Sequence, residues 1–297
     1  MAKLELGGAY TALVTPFTED GSAIDFDAYE KLVESQIAGG ISGLVPCGTT
    51  GETPTLSDSE QRELVKRTVG AAKGRVPVLV GTGSNSTKKS IDASKAALEA
   101  GADAVMIVMP YYNKPSQEGM VRHVELIAKA VDAPIVLYNI PGRSGVELSV
   151  ASLLRILDSS PGVVGVKDAT GNVQSCQRLL SKAGDRVVVM SGDDPLTLPM
   201  MSVGARGVIS VTSNVYPKQV REVVADATAG RWDEARRKHF ALLPVHAAMF
   251  IEPNPQPVKA ALSLEGRLRA TVRRPMIEAS KACRSAVAQA MKDYEAS

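Results

Sequence analysis

A lysine sits near the end of the run Pro161-Gly162-Val163-Val164-Gly165-Val166-Lys167-Asp168-Ala169-Thr170. Pro-Gly opens a short β-branched stretch and a polar turn follows it, which places Lys167 at the carboxyl end of a predicted strand. Alternation along a strand puts Val164 and Val166 on one face and Val163, Gly165 and Lys167 on the other. An ammonium above glycine and valine in a buried sheet is poorly solvated. Desolvation lowers its pKa, and a neutral amine is what attacks a ketone to form a Schiff base. Taken alone, the stretch fits a solvated strand end at least as well, because charged side chains are seldom buried. What decides is the company Lys167 keeps.

Seven other short apolar runs read as strands: Ala9 to Val14, Gly43 to Pro46, Val78 to Val80, Ala104 to Met109, Ile135 to Tyr138, Val187 to Met190 and Gly207 to Ser210. Polar residues follow most of them. The second leads into Cys47-Gly48-Thr49-Thr50-Gly51-Glu52, and the fourth into Pro110-Tyr111-Tyr112-Asn113-Lys114-Pro115. The fifth ends Tyr138-Asn139-Ile140-Pro141-Gly142-Arg143-Ser144-Gly145, the seventh runs into Ser191-Gly192-Asp193-Asp194, and the eighth ends Ile209-Ser210. Each has an ordinary structural reading: the threonines as turn caps, the tyrosines as packing or interface residues, Arg143 as a solvated loop residue. Together they make a lysine, hydroxyl donors, proton-passing tyrosines and one guanidinium suited to a carboxylate, all at strand ends.

Segments with helical periodicity separate the strands: Phe26 to Ala38, Asp58 to Ala72, Thr87 to Ala100, Glu118 to Ala130, Leu148 to Leu157, Val173 to Ser181, Pro195 to Val203 and Lys218 to Ala229. Eight strand-helix repeats with crossovers of this length predict an α/β fold, a (β/α)8 TIM barrel, whose chemistry sits at the carboxyl ends of the strands. A doubly wound open sheet is the rival. It calls for a phosphate fingerprint, which Gly81-Thr82-Gly83-Ser84-Asn85-Ser86 lacks, so that loop reads as a strand-to-helix turn capped by Ser84 or Asn85. Beyond Arg231 the strand signal stops. Trp232 to Phe250 reads as a helix interrupted by Pro244, followed by the rigid loop Pro253 to Pro257, a short helix ending at Gly266 and a longer one from Met276 to about Met291. The expected division is a catalytic barrel over 1–230 and a C-terminal helical appendage over 231–297.

Composition narrows the partners. A net charge of +2 without blocks of like charge predicts neither nucleic-acid nor membrane binding. Three scattered cysteines and a charged amino terminus predict a cytoplasmic protein with no disulfide framework. His123, His239 and His246 lie in helical segments away from strand ends, which points to neither a metal cage nor a histidine base. Asp193 and Asp194 occupy the loop where a barrel often binds phosphate, which argues against a phosphorylated substrate.

Along essentially its whole length the chain resembles the dihydrodipicolinate synthase and N-acetylneuraminate lyase family of Schiff-base aldolases. Gly48-Thr49-Thr50-Gly51-Glu52, Tyr138-Asn139-Ile140-Pro141-Gly142-Arg143 and Gly165-Val166-Lys167-Asp168-Ala169-Thr170 carry the resemblance. It implies condensation of pyruvate with L-aspartate 4-semialdehyde, without an added cofactor or metal. By position, Lys167 forms the imine, Thr49 and Thr50 hold the pyruvate carboxylate, and Tyr138 shuttles a proton. Thr50 relays to Tyr112, which reaches in from a neighbouring subunit. Arg143 binds the semialdehyde carboxylate, and Gly192 and Ile209 line the pocket. A homotetramer built as a dimer of dimers is implied, although the residues themselves leave dimer and tetramer open. The resemblance also implies that sugar-acid lyases lack Arg143 and favour serine at Thr49. A 2-keto-3-deoxy sugar-acid aldolase, an N-acetylneuraminate lyase, or a non-catalytic ketoacid-binding protein on the same scaffold are the alternatives. In lysine-inhibited relatives an effector pocket uses a histidine at Gln61 and a glutamate at Lys89, with Asn85 and Tyr111 retained. Lys89 opposes the effector's ammonium, so weak or absent feedback by lysine is expected.

Overall fold

Short β-branched runs joined by long crossovers leave little choice but parallel pairing, and the computed structural model, which describes residues 4–296, shows it. The strands are β1 (Gly8–Ala12), β2 (Gly43–Val45), β3 (Leu79–Gly81), β4 (Ala104–Val108), β5 (Ile135–Asn139), β6 (Val163–Asp168), β7 (Val188–Ser191) and β8 (Gly207–Ser210). They pair in the order β2-β1-β8-β7-β6-β5-β4-β3, and a parallel bridge between Leu44 and Val78 joins β2 to β3. The sheet therefore closes into the expected eight-stranded barrel, which places every strand's carboxyl end on one rim.

Inward side chains, among them Tyr10, Val45, Leu79, Met106, Val136, Tyr138, Met190 and Ile209, fill the barrel. Outward ones, such as Val105, Ile107, Leu137, Val166 and Val189, pack beneath the surrounding helices. The regular alternation expected along β6 breaks at its start. Ile135 pairs with Val163 but Val136 pairs with Gly165, a register shift that turns Val163 outward and lets Val164 pack against the interior. Gly165 and Lys167 still face in. A Cβ at Gly165 would lie 2.3 Å from Leu6 Cδ2, because Leu6 plugs that end of the barrel.

Side-chain caps start most of the barrel helices. Ser57 and Glu60 form a reciprocal capping box on Asp58–Ala72, and Ser116, Ser149 and Asn172 cap Gln117–Ala130, Val150–Ser159 and Val173–Ala183. The cap of Thr87–Glu99 is Ser86, which accepts from the Lys89 N–H, and not Ser84 or Asn85; the Ser84 hydroxyl instead accepts from the Ser86 N–H.

Beyond the barrel lie the helices Trp232–Ala248, Gln256–Leu264 and Lys281–Glu295. The first runs through Pro244 rather than breaking there: Leu242, Val245 and His246 on either side are buried, and that packing outweighs the lost backbone bond. The last begins at Lys281, five residues later than expected, where Ser280 caps it by accepting from the Cys283 N–H at 3.1 Å. One apolar cluster joins Ala9 and Leu13 near β1 to Val245, Val258 and Val287 in these helices, so the core is continuous across residue 230. No helix of the described residues is long and apolar enough to cross a membrane.

Candidate active site

Tyr138 and Lys167 are direct partners on the paired strands β5 and β6, and both point inward. Lys167 is 5% exposed, and its Nζ lies over the Tyr138 ring, 4.2 Å from the centroid. Burial pulls the Lys167 pKa down from 10.5 to about 8; the anion of Asp194 opposes the shift and the Arg143 cation adds to it. Burial likewise pushes Tyr138 up to about 12, against the Arg143 cation and the Thr49 hydroxyl, which favour its anion. The pair is thus a lysine readily neutralised beside a phenol that keeps its proton.

Gly192 lies directly against the lysine. A Cβ there would meet Ala169 Cβ at 2.8 Å and Lys167 Cε and Cγ at 3.1 Å, so glycine at this position makes room for the lysine stem. Its N–H donates to the Asp168 carbonyl at 2.7 Å. Ile209, fully buried on β8, packs in the same interior cluster as Tyr138 and Met190.

After β2 the chain enters tight 3-10 turns at Thr49–Gly51 and Thr53–Thr55, with Cys47 and Glu52 at positive φ on either side of the first. Thr15 Oγ1 donates to the Gly51 carbonyl at 2.8 Å and Thr53 Oγ1 to the Gly48 carbonyl at 2.9 Å, which holds the turns against the rim. Arg143 sits in the short helix Pro141–Ser144 beyond β5. Asn139 anchors that loop: its Nδ2 donates to the Leu148 carbonyl and its Oδ1 accepts from the Leu148 N–H, each at 3.0 Å.

A cleft of about 610 Å³ opens at this end of the barrel, lined by Thr49, Tyr138 and Arg143 and extending between the helices Asp58–Ala72 and Thr87–Glu99. Gln61, Lys89 and Tyr111 line the same cleft. Asn85 makes its described contact through its backbone carbonyl, which accepts from Asn113 Nδ2 at 2.9 Å. The structure therefore brings together Lys167, Tyr138, Thr49, Gly192, Arg143 and Ile209. Tyr112 stands apart, 89% exposed and at φ 70°, and the Thr50 hydroxyl takes its hydrogen bond from Asn254 Nδ2 at 2.9 Å.

Sequence reasoning gave Asn254 no role and read Asp194 only as an argument against a phosphorylated substrate. Asn254 lies in the rigid Pro-Asn-Pro-Gln-Pro loop, whose composition signals a turn and nothing about its destination. Asp194 is buried and accepts from the Ser210 hydroxyl and from the Val211 and Thr212 N–H groups at 2.9 and 3.4 Å, so it organises the end of β8. The histidines are buried. His123 Nδ1 meets Thr87 Oγ1 and His246 Nδ1 meets Thr212 Oγ1, each at 2.9 Å, which brings His246 nearer the rim than its helical setting suggested. Burial lowers His123 and His239 to about 4. Among the described residues no group of three or more His, Cys, Asp or Glu is placed to hold a metal ion.

Known proteins resemble this chain over nearly its whole length. The signature of the dihydrodipicolinate synthetase family matches residues 5–294. The 4-hydroxy-tetrahydrodipicolinate synthase of Sorangium cellulosum (strain So ce56) is 58% identical, over 100% of this chain and 98% of its own. That of Nitratidesulfovibrio vulgaris (strain DP4) is 47% identical over 92% of this chain and 93% of its own. The solved 4-hydroxy-tetrahydrodipicolinate synthase of Methylacidiphilum fumariolicum SolV superposes with a TM-score of 0.96, at 41% identity, covering 98% of this chain and 97% of that one. With the family signature matched over residues 5–294 and full-length relatives in agreement, the chain belongs to the dihydrodipicolinate synthetase family.

Proposed function

We propose that this chain is a 4-hydroxy-tetrahydrodipicolinate synthase, a lyase that condenses pyruvate with L-aspartate 4-semialdehyde through an imine on Lys167. The observation that carries the mechanism is the lysine itself, buried on the rim against Tyr138 with its pKa drawn down to about 8. Roughly one such lysine in ten is neutral at pH 7, against about one in three thousand at the ordinary value. The neutral amine adds to the ketone carbon of pyruvate, and loss of water leaves an iminium. Its positive nitrogen draws electrons from the methyl group, whose proton departs to give an enamine, and the enamine carbon attacks the aldehyde.

Tyr138, beside the imine nitrogen and protonated at neutral pH, is suited to carry protons between these steps. Thr49 and the Thr50 turn offer hydroxyl and N–H groups to the pyruvate carboxylate, with Gly192 and Ile209 shaping the pocket. Arg143, on the cleft wall, takes the carboxylate of the semialdehyde. Tyr112 completes the relay from a second subunit, which makes an oligomer, taken here as a dimer of dimers, part of the proposal. The reading calls for no cofactor beyond the imine and fits a cytoplasmic biosynthetic enzyme that binds neither nucleic acid nor membrane. The chemistry is assigned to the barrel, within residues 1–230, and the helices Trp232–Ala248, Gln256–Leu264 and Lys281–Glu295 form the appendage.

Borohydride reduction in the presence of pyruvate, followed by mass spectrometry, tests the imine; an adduct absent from Lys167 rejects the mechanism and favours a ketoacid-binding protein. Turnover of aspartate semialdehyde, measured beside sugar acids, separates the synthase from its aldolase relatives. Faster turnover of a sugar acid would overturn the assignment.

A further inference from the structure

The bend after β2 pivots on a residue ill-suited to its own backbone. Glu52 sits at φ 57°, in the left-handed region that glycine enters freely and a residue with a Cβ enters under strain. It joins the two 3-10 turns: its N–H donates to the Thr49 carbonyl at 3.1 Å, and its carbonyl accepts from the Thr55 N–H at 2.9 Å. Glycine would serve these backbone bonds at less cost, so the reason for a glutamate lies in its side chain.

That side chain is 4% exposed, and both of its oxygens are engaged by the far end of the chain. Oε1 accepts from Lys259 Nζ at 2.5 Å, and Oε2 accepts from the Arg273 N–H at 2.9 Å. Lys259, in the helix Gln256–Leu264, is fully buried, with its Nζ 4.2 Å from the centroid of the Phe17 ring and donating also to the Thr271 carbonyl at 2.8 Å. The Arg273 guanidinium covers the same ring at 4.4 Å, donates to the Thr55 carbonyl at 3.0 Å and is held by Glu60 at 2.6 Å. The gripped bend is the one that meets the chemistry. Thr49 lines the cleft and turns its hydroxyl to the Tyr138 phenol. The first bonds closing its turn come from the Gly51 and Glu52 N–H groups, so the Thr49 and Thr50 N–H groups lie ahead of them, outside the turn's own bonding.

We propose that Lys259 is a positioning residue for pyruvate: paired with Glu52, it holds the bend that aims Thr49 at Tyr138 and presents the Thr49 and Thr50 N–H groups to the pyruvate carboxylate. The proposal rests on the Schiff-base reading above. A fully buried ion pair is a poor device for stability alone, since neutral side chains of matched volume commonly hold a fold as well. What the pair adds is direction, because the ammonium, fixed by Thr271 and Phe17, leaves the Glu52 carboxylate one place to sit.

The experiment compares the parent protein with the double variant Glu52→Gln, Lys259→Met, which removes both charges and nearly keeps the side-chain volumes. Melting temperature, borohydride trapping over a range of pyruvate concentrations, and steady-state kinetics in both substrates are measured. The variant is expected to melt within about 3 °C of the parent and to trap saturating pyruvate on Lys167. Its pyruvate KM and the pyruvate concentration for half-maximal trapping should each rise about tenfold, and kcat should fall about tenfold. The KM for the semialdehyde should stay at the parent value, because Arg143 stands on a separate loop beyond β5. A merely structural pair would shift the melting temperature and leave the two KM values unsplit. Should the double variant fail to fold, Glu52→Gln decides by the same kinetics. Parent-like pyruvate KM and kcat in a folded variant, or an equal rise in both KM values, overturns the proposal. Absence of the pyruvate adduct in the parent protein instead removes the Schiff-base reading.

Discussion

Holding an amine ready for attack should cost the fold stability, and Lys167→Met measures that cost. Burial lowers the lysine pKa from 10.5 to about 8. The unfolded chain therefore binds the proton more tightly than the folded one. At pH 7 both states are largely protonated, and the folded state bears the full penalty of burying the charge, about 3 kcal/mol. As the pH rises through 8 the folded lysine loses its proton, and the penalty shrinks to roughly half by pH 9.5, where the unfolded lysine is still mostly charged. Methionine fills nearly the same volume without a charge. In a chain of this size 3 kcal/mol corresponds to a rise in Tm of about 5 °C. Calorimetry of the parent and Lys167→Met proteins without pyruvate should show that gain at pH 7 and about half of it at pH 9.5. The rate of borohydride trapping in the parent should follow the same group, rising with pH and levelling off above about 8. A variant that melts at or below the parent at pH 7, or a trapping rate still climbing at pH 10, refutes the picture of a desolvated lysine.

Other substitutions probe the surroundings. Gly192→Ala places a methyl group 2.8 Å from Ala169 Cβ and 3.1 Å from Lys167 Cε, so the lysine must shift and the rate of imine trapping should fall roughly tenfold with the fold retained; an unchanged rate removes Gly192 from the site. Tyr112→Phe, or a dimer interface disrupted by mutation, should depress turnover about a hundredfold while pyruvate trapping persists, and parent-like turnover in Tyr112→Phe excludes it from the relay. Lysine added to the assay should inhibit weakly or not at all, since Lys89 on the wall of the cleft repels its ammonium. Saturable inhibition at moderate lysine concentration contradicts this.

Local pattern was enough to recognise the barrel and most of the rim. Runs such as Ile135 to Tyr138 and Val163 to Lys167, punctuated by glycine and proline, state their period within a few residues, and eight such runs in a chain of this length admit few topologies. Lys167 was conspicuous because a lysine ends an apolar run. Where local rules went astray, packing had overridden them: the Trp232–Ala248 helix passes through Pro244 because its neighbours bury it, and a register shift turns Val163 away from the face of Lys167.

What the sequence by itself determined was thus the kind of fold, the set of polar residues at its open end and, through three motifs, its family. Tertiary structure alone decided the environment that gives those residues their chemistry. The burial that lowers the Lys167 pKa comes from side chains on several strands, and no local stretch encodes it. Asn254 reaches Thr50 across 204 residues and Lys259 reaches Glu52 across 207. Contacts of that separation exist only after the chain has closed, because desolvation and hydrogen-bond partners depend on distance in space rather than along the sequence.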